Sequence, residues 1–225
     1  MTAMNQEHHN QGDETHHHQD PNAHHQHPAS GGEYKGEKIS SAIGSFFLFL
    51  IIPIAIALFL TAFIIQSYQV DGESMETTLQ DHDRLLVDKL PRTIARITRH
   101  EYVPNRGDIV IFNQSGLPDT FYQKQLIKRV VGLPGDRVVV KNGYITIYNA
   151  AHPSGFNPDT SGKYRIAAPT TVGDVDVTLD NNEIFVCGDN RNNSEDSRYF
   201  GPVNVNNIVG KLVVRILPIN NTEIF

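Results

Sequence analysis

The feature that most restricts this chain is an apolar run. No charged residue occurs from Ile39 to Val70, and residues 46–65, FFLFLIIPIAIALFLTAFII, supply the ~20 apolar residues that a helix needs to cross a hydrocarbon core. The run is too long for the apolar region of a cleavable signal peptide, and the long tail before it is also wrong for one. Pro53 lies inside it, a position that membrane helices tolerate as a kink. Lys35 and Lys38 precede the run, whereas Asp71 and Glu73 follow it and the first basic residue beyond is Arg84. Because positive charge is retained on the cytoplasmic side, the N-terminus is expected in the cytoplasm and everything after about Gln66 outside. The sequence thus predicts a single-pass protein of the cell membrane: a tail over 1–40, a transmembrane helix over 41–66, an extracytoplasmic domain over 67–220 and a short C-terminal tail over 221–225.

The tail is rich in Gln, Asn, Gly and His and holds eight of the eleven histidines. Such a composition cannot bury enough apolar surface to offset its ordering entropy, so disorder is expected. The clusters at His8–His9, His16–His18 and His24–His27 imply no fixed ligand geometry, and no metal site is assigned to them. A single cysteine, Cys187, rules out an intramolecular disulfide, and its setting suits a small buried residue. The net charge of −6 without a basic stripe argues against nucleic acid as a partner.

The exported part reads as mainly β. Residues 106–113, RGDIVIFN, alternate as a half-buried strand should. Residues 136–149 are two β-rich runs joined by Asn142-Gly143, the strongest short hairpin signal. NEIFVCGDN and IVGKLVVRILPI add two more such runs, and PRTIARITRH, 91–100, is a candidate short helix. The Pro-, Gly- and Asp-rich stretch 150–182 looks like an insertion or small subdomain, extending with the hairpin over about 140–182. An antiparallel all-β domain on one anchor helix follows.

Chemistry is sought next to Ser74, in VDGESMETTL, because a serine is a useful nucleophile only beside a base. Outside the tail the histidines are His82, His100 and His152, and none sits in a Gly-rich or strand-end setting. In QKQLIKRVVGLPGD, strand alternation sends Lys128 and Arg129 to opposite faces, so that one of the two points inward. If it is Lys128, burial lowers its pKa toward the working pH and makes it a general base; otherwise the two are solubilising edge charges. Lys124 is the rival base, between the polar Gln123 and Gln125. GDNRNNSEDSRYFGPV packs Asp189, Arg191, Ser194, Asp196, Ser197 and Arg198 into a short stretch, in which Asp196 and Arg198 can pair and Ser194 can orient a lysine.

These blocks, in this order after an anchor, resemble the type I signal peptidases, also called leader peptidases, of the Gram-positive kind. The resemblance covers Ile39 to about Leu217 and rests on VDGESMETTL, DRLLVDK, RGDIVIF, IKRVVGLPGD and GDNRNNSEDSRYFGPV. It implies a serine endopeptidase with two antiparallel β-sheet domains, the smaller and variable one including 150–182, and an apolar surface near the site that lies on membrane lipid. It implies that Ser74 is the nucleophile, Lys128 the general base, and Met75 a neighbour in the substrate groove. Ser194 would position the lysine, and Asp196 and Arg198 would brace the site. Substrates would be secretory preproteins with A-x-A-type cleavage sites, cleaved through an acyl-enzyme without metal or cofactor.

The chain departs from the family pattern where SMxPTL reads SMETTL, with Thr77 in place of proline, and where GDNRDNS reads GDNRNNS, with Asn192 in place of an acid. Where some relatives carry a hydroxyl oxyanion donor, this chain has Gly72, leaving the Ser74 backbone N–H. The departures motivate an alternative reading as an inactive relative that binds signal peptides or scaffolds export, although such proteins usually lose the serine or lysine. A self-cleaving regulatory Ser-Lys protease is the third reading, and it lacks an export anchor.

Overall fold

The structure, a computed structural model, describes residues 36–116, 123–160, 162, 164, 166 and 170–225, with side chains from Ser45 onward. The His-rich tail therefore lies outside the described residues. Residues Leu48–Phe225 form one compact unit, and of the unit before it, Met1–Phe47, the described part is the start of the first helix. That helix, α1 (Gly36–Phe63), runs through Pro53, and its segment Ser45–Phe63 has a mean hydropathy of 2.8 with no residue buried. Nineteen residues at ~1.5 Å rise span the apolar thickness of a bilayer, and no other helix among the described residues does so.

The strands are β1 (Ile65–Gln69), β2 (Arg84–Asp88), β3 (Ile109–Gln114), β4 (Lys124–Gly132), β5 (Arg137–Lys141), β6 (Tyr144–Asn149), β7 (His152–Phe156), β8 (Val175–Thr178), β9 (Glu183–Cys187), β10 (Val203–Asn204), β11 (Ile208–Leu217) and β12 (Glu223–Ile224). Two short helices, α2 (Leu90–Thr98) and α3 (Ser197–Phe200), complete the described elements besides 3-10 turns. One sheet has the order β1-β2-β11-β3-β4-β9-β10, with β12 added on β11; the other has the order β7-β6-β5-β8. Every pairing is antiparallel. The fold is therefore mainly β, with two antiparallel sheets and one N-terminal apolar helix.

Local sequence accounts for the joints. Asn142 and Gly143 take φ of 54° and 84°, the left-handed pair that a two-residue hairpin requires, and they join β5 to β6. The candidate helix at 91–100 is α2, with proline in its first turn and Arg99 closing it in the left-handed region. The final residues, expected as a tail, pair through β12 with β11.

One expectation is corrected by the packing. Residues 106–113 suggested a half-buried strand, yet Ile109, Val110, Ile111 and Phe112 are all buried. The reason is that β3 is covered on both faces. Val110 and Phe112 join a core with Val130, Val186 and Ile208, whereas Ile109 joins a second core with Val70, Met75, Leu79 and Leu212. A third core, containing Val138, Ile145, Phe185 and Cys187, binds the smaller sheet to β4 and β9.

A buried ion pair ties the same region together. Arg191, fully buried, donates to both carboxylate oxygens of Asp159 in the turn after β7, with Nη2–Oδ1 at 2.7 Å, and to Thr171 Oγ1 at 2.7 Å. Removing one partner strands a charge away from water. Asp159→Ala is therefore expected to lose about 3–5 kcal/mol of stability. Urea unfolding of the detergent-solubilised chain, followed by circular dichroism, measures it.

Candidate active site

Ser74 lies in the loop between β1 and β2, and the loop is held from both ends. The Gly72 N–H donates to Asp81 Oδ1 at 2.9 Å, and Val70 N–H to Asp83 O at 2.9 Å. Gly72 takes φ of +102°, a conformation in which a side chain is strained, which gives a backbone reason for glycine at this position. Met75 and Leu79 then plug the loop into the core with Val70, Leu85, Ile109 and Leu212. Met75 is thus a buried anchor beneath Ser74 and does not line the groove, a correction to its expected place. The Glu76–Thr77 peptide bond, at the departure from SMxPTL, is cis.

Lys128 comes from β4, where it pairs in register with Val110 of β3. Its Nζ lies 2.7 Å from Ser74 Oγ. The sequence offered a choice between Lys128 and Arg129 for the inward position, but both are buried, at 3% and 5% exposure. The two adjacent cations meet different fates. Arg129 is matched by Asp189 in a bidentate pair, Nε–Oδ1 2.8 Å and Nη2–Oδ2 2.6 Å, and by Gly107 O at 2.8 Å. Lys128 has no carboxylate within ion-pair distance among the described residues. Burial therefore lowers its pKa from 10.5 to about 8, opposed in part by the negative charges of Asp196 and Glu195. Lys124, the rival base, is exposed at the start of β4.

Asp196 cannot serve as a lysine partner because its oxygens are taken. Arg198 donates to it from Nε at 2.8 Å and Nη2 at 2.7 Å, and the Gly188 N–H donates at 2.9 Å. The pair expected between these residues is present, with both side chains essentially buried. Arg198 also donates to Val172 O at 2.9 Å and Arg191 O at 2.7 Å, which fixes the loop after β9. That loop grips the serine segment: Asn190 N–H donates to Ser74 O at 3.1 Å, Asn190 Nδ2 to Glu73 O at 3.1 Å, and Asn193 Nδ2 to Glu73 Oε2 at 3.1 Å. Ser194 Oγ is buried and has no hydrogen-bond partner among the described residues. It sits over Gly188, where an added Cβ would collide with Ser194 Oγ and Ser74 O.

Sequence reading missed three of these supports. Arg129 and Asp189 are 60 residues apart, and no local pattern joins them. Thr78 Oγ1 donates to Asp189 Oδ2 at 2.5 Å, linking the serine loop to the same pair. Asn190 and Asn193 stood in the quoted block, but their targets on Glu73 and Ser74 were not readable there. Of the three histidines, His82 contacts Asp81 and Gln69, His100 contacts Thr98 O and His152 contacts Asn149; none reaches Ser74. Cys187 is fully buried, which pushes its thiol pKa up and suits a core residue. No cluster of potential metal ligands occurs among the described residues.

An open cleft of 490 Å³ runs past Ser74 and Lys128. Tyr68 to Ser74 form one wall, and Lys124 to Lys128 of β4 form the other, with Leu85 and Ile111 among its apolar lining. Among the described residues the β4 wall is paired only with β3 over 124–128, since β9 joins it from Arg129 onward, so one backbone edge of this stretch has no strand partner among them. The arrangement offers a nucleophile, an adjacent amine of lowered pKa, and a channel able to take an extended chain.

Comparison with known proteins places the chain in a family. The family model described as "Signal peptidase, peptidase S26" matches residues 43–217. "Probable signal peptidase I-2" of Synechocystis sp. is 32% identical over 171 residues, covering 76% of this chain and 71% of that protein. "Signal peptidase I" of Leptolyngbya laminosa is 34% identical over 174 residues, covering 75% and 77%, respectively. "Signal peptidase I" of Bacillus caldolyticus is 33% identical over 172 residues, covering 74% and 87%. A match across most of the folded chain, including both segments that meet at the cleft, places the protein by descent: it belongs to the S26 family of signal peptidases.

Proposed function

We propose that this protein is a membrane-bound endopeptidase in which Ser74 and Lys128 form a catalytic dyad that removes signal peptides from secretory preproteins. As a member of the S26 signal peptidases it is a serine endopeptidase acting on such preproteins. The observation that carries the dyad is the 2.7 Å approach of Lys128 Nζ to Ser74 Oγ, made by an amine whose pKa is lowered to about 8.

The reaction follows from that pair. With Lys128 neutral, the Ser74 hydroxyl donates to the amine lone pair, and Oγ attacks the scissile carbonyl as the proton passes to Nζ. The Ser74 N–H, which donates to no group among the described residues, is free to stabilise the oxyanion. The lysine ammonium then protonates the leaving amine of the mature protein, and a water activated by the regenerated amine hydrolyses the acyl-enzyme. The signal peptide lies extended in the cleft against the unpaired edge of β4. An extended chain points alternate side chains the same way, so the first and third positions before the cut face the same apolar floor, in keeping with small residues in an A-x-A pattern. The expected orientation, with the N-terminus cytoplasmic and this domain outside, would set the cleft on the side where exported preproteins emerge. The anchor confines enzyme and substrate to one surface and raises their effective concentration.

Four outcomes follow. Ser74→Ala and Lys128→Ala should each lower kcat at least about 10³-fold on a preprotein, since residues that act as a unit are not replaced singly. Because the reactive form has Lys128 neutral, log kcat/KM should rise with unit slope as pH increases and level off near pH 8; an activity profile from pH 6 to 10 reads this. The same shift has a cost to folding: the native state releases the Lys128 proton at about 8 and the unfolded chain at 10.5, so below pH 8 the native state bears the full penalty and stability recovers as pH rises through that window. Lys128→Met should therefore be more stable at pH 7 by on the order of 3 kcal/mol and lack the rise between pH 8 and 10.5 in urea unfolding. Finally, Gly188→Ala should keep the circular dichroism of the folded chain but lose most activity, since the added methyl group pushes against Ser74 O.

A further inference from the structure

Residues 218–225 form a strap that reaches the nucleophile loop from outside the substrate cleft. The stretch that matches the signal peptidase family ends at residue 217, so the assignment to the family does not account for them. After β11 the chain turns through Ile219–Asn221 and returns as β12, whose Ile224 pairs with Val214. The Phe225 N–H donates to Val213 O at 2.8 Å, and its ring packs on the core that contains Met75 and Leu79, the two side chains that anchor the serine loop. Glu223, Ile224 and Phe225 line a cleft of 830 Å³ together with Thr77 and Thr78 of that loop. No residue of 211–225 lines the cleft that contains Ser74 and Lys128.

Arg215 of β11 joins the strap to the loop. It is buried, and it donates in two directions. On the strap, Nε meets Asn221 O at 2.7 Å and Nη2 meets Glu223 Oε2 at 2.8 Å. On the loop, Nη1 meets Thr78 O at 2.7 Å and Asp83 Oδ2 at 3.2 Å. Asp83, buried beside it, already matches the charge of the arginine, so the half-exposed Glu223 is not needed for neutrality. What Glu223 adds is direction. A guanidinium is planar and its donors are fixed in a fork, so holding Nε and Nη2 on the strap aims Nη1 at the Thr78 carbonyl. Thr78 closes the turn that follows the serine, since its N–H donates to Met75 O at 2.9 Å. It is held through its side chain by Asp189 of the loop after β9, at 2.5 Å, and through its carbonyl by Arg215.

We propose that Arg215 is a positioning residue for Ser74: the strap, through Asn221 and Glu223, orients its guanidinium on the Thr78 carbonyl and so fixes the serine against Lys128. The inference rests on the reading of Ser74 and Lys128 as a catalytic dyad. A misplacement of about 1 Å costs up to roughly 10²-fold in rate, so a contact made outside the substrate cleft reaches the chemistry through the loop.

The test uses the full chain in detergent, with kcat and KM measured separately on a preprotein and folding checked by circular dichroism. Glu223→Ala should lower kcat about five- to tenfold and leave KM within about twofold, the pattern of a displaced nucleophile. Glu223→Gln keeps an oxygen that accepts from Nη2 and should return kcat to within about twofold of the parent. Arg215→Lys keeps the charge but not the fork; it should lose as much as Glu223→Ala, and the two together no more than either. Arg137→Ala, which breaks the exposed pair with Asp176 in the smaller sheet, should change nothing. Unchanged kcat in folded Glu223→Ala, with Ser74→Ala inactive, overturns the positioning role and leaves the dyad standing; activity retained in Ser74→Ala overturns the dyad. A raised KM at constant kcat places the strap in substrate binding and overturns the proposal, as do additive losses in the double variant or a Glu223→Gln chain as slow as Glu223→Ala. If Arg215→Lys does not fold, the two Glu223 variants decide alone.

Discussion

Lys128 is held 2.7 Å from Ser74 at a point where water does not solvate an ammonium, and the rest of the domain is arranged to keep it there without a counter-ion. A carboxylate beside the lysine would hold its proton and spoil it as a base. Of the two carboxylates that act on the lysine, Asp196 is occupied by Arg198 and the Gly188 N–H, and Glu195 is exposed and beyond ion-pair distance; Asp189 is occupied by Arg129 and Thr78. Each buried acid near the site has an arginine of its own, so the lysine is left with the serine. The structure accepts a destabilising buried amine in exchange for a base that is available near neutral pH.

The same ion pairs do the positioning. Arg129–Asp189 joins β4 to the loop after β9, Thr78 connects that pair to the serine loop, and Arg191–Asp159 fastens the smaller sheet to the same loop. Buried pairs of this kind contribute little net stability over an apolar core, but breaking one is costly, so they hold a geometry more than they hold a fold. The apolar cores on both sides of β3 and β4 supply the stability. Division of labour between cores and pairs allows the loops on either side of the cleft to be polar yet fixed.

Much of this was legible in the chain. The apolar run, the Asn142-Gly143 hairpin, the β-rich runs and the helix near 91–100 are local signals, and each appears where the pattern put it. The proximity of Ser74 and Lys128 followed from the order of motifs and not from any local rule, because 54 residues of chain separate them. What stayed hidden depended on layers. Alternation in β3 suggested one buried face, whereas a sheet covered on both sides buries four consecutive residues. The same double covering buries Arg129 beside Lys128, and only the distant Asp189 makes that tolerable. The resemblance to signal peptidases implied that Met75 is a groove residue, but the turn directs it into the core.

The account stands on the protonation of one amine. Titration of Lys128 by NMR in chain labelled with 13C at lysine Cε, assigned by its absence in Lys128→Met, measures that directly. A pKa near 8 that belongs to this lysine alone is predicted. A value at or above the ordinary 10.5 would mean that the site stabilises the ammonium, and Lys128 could not then act as the base.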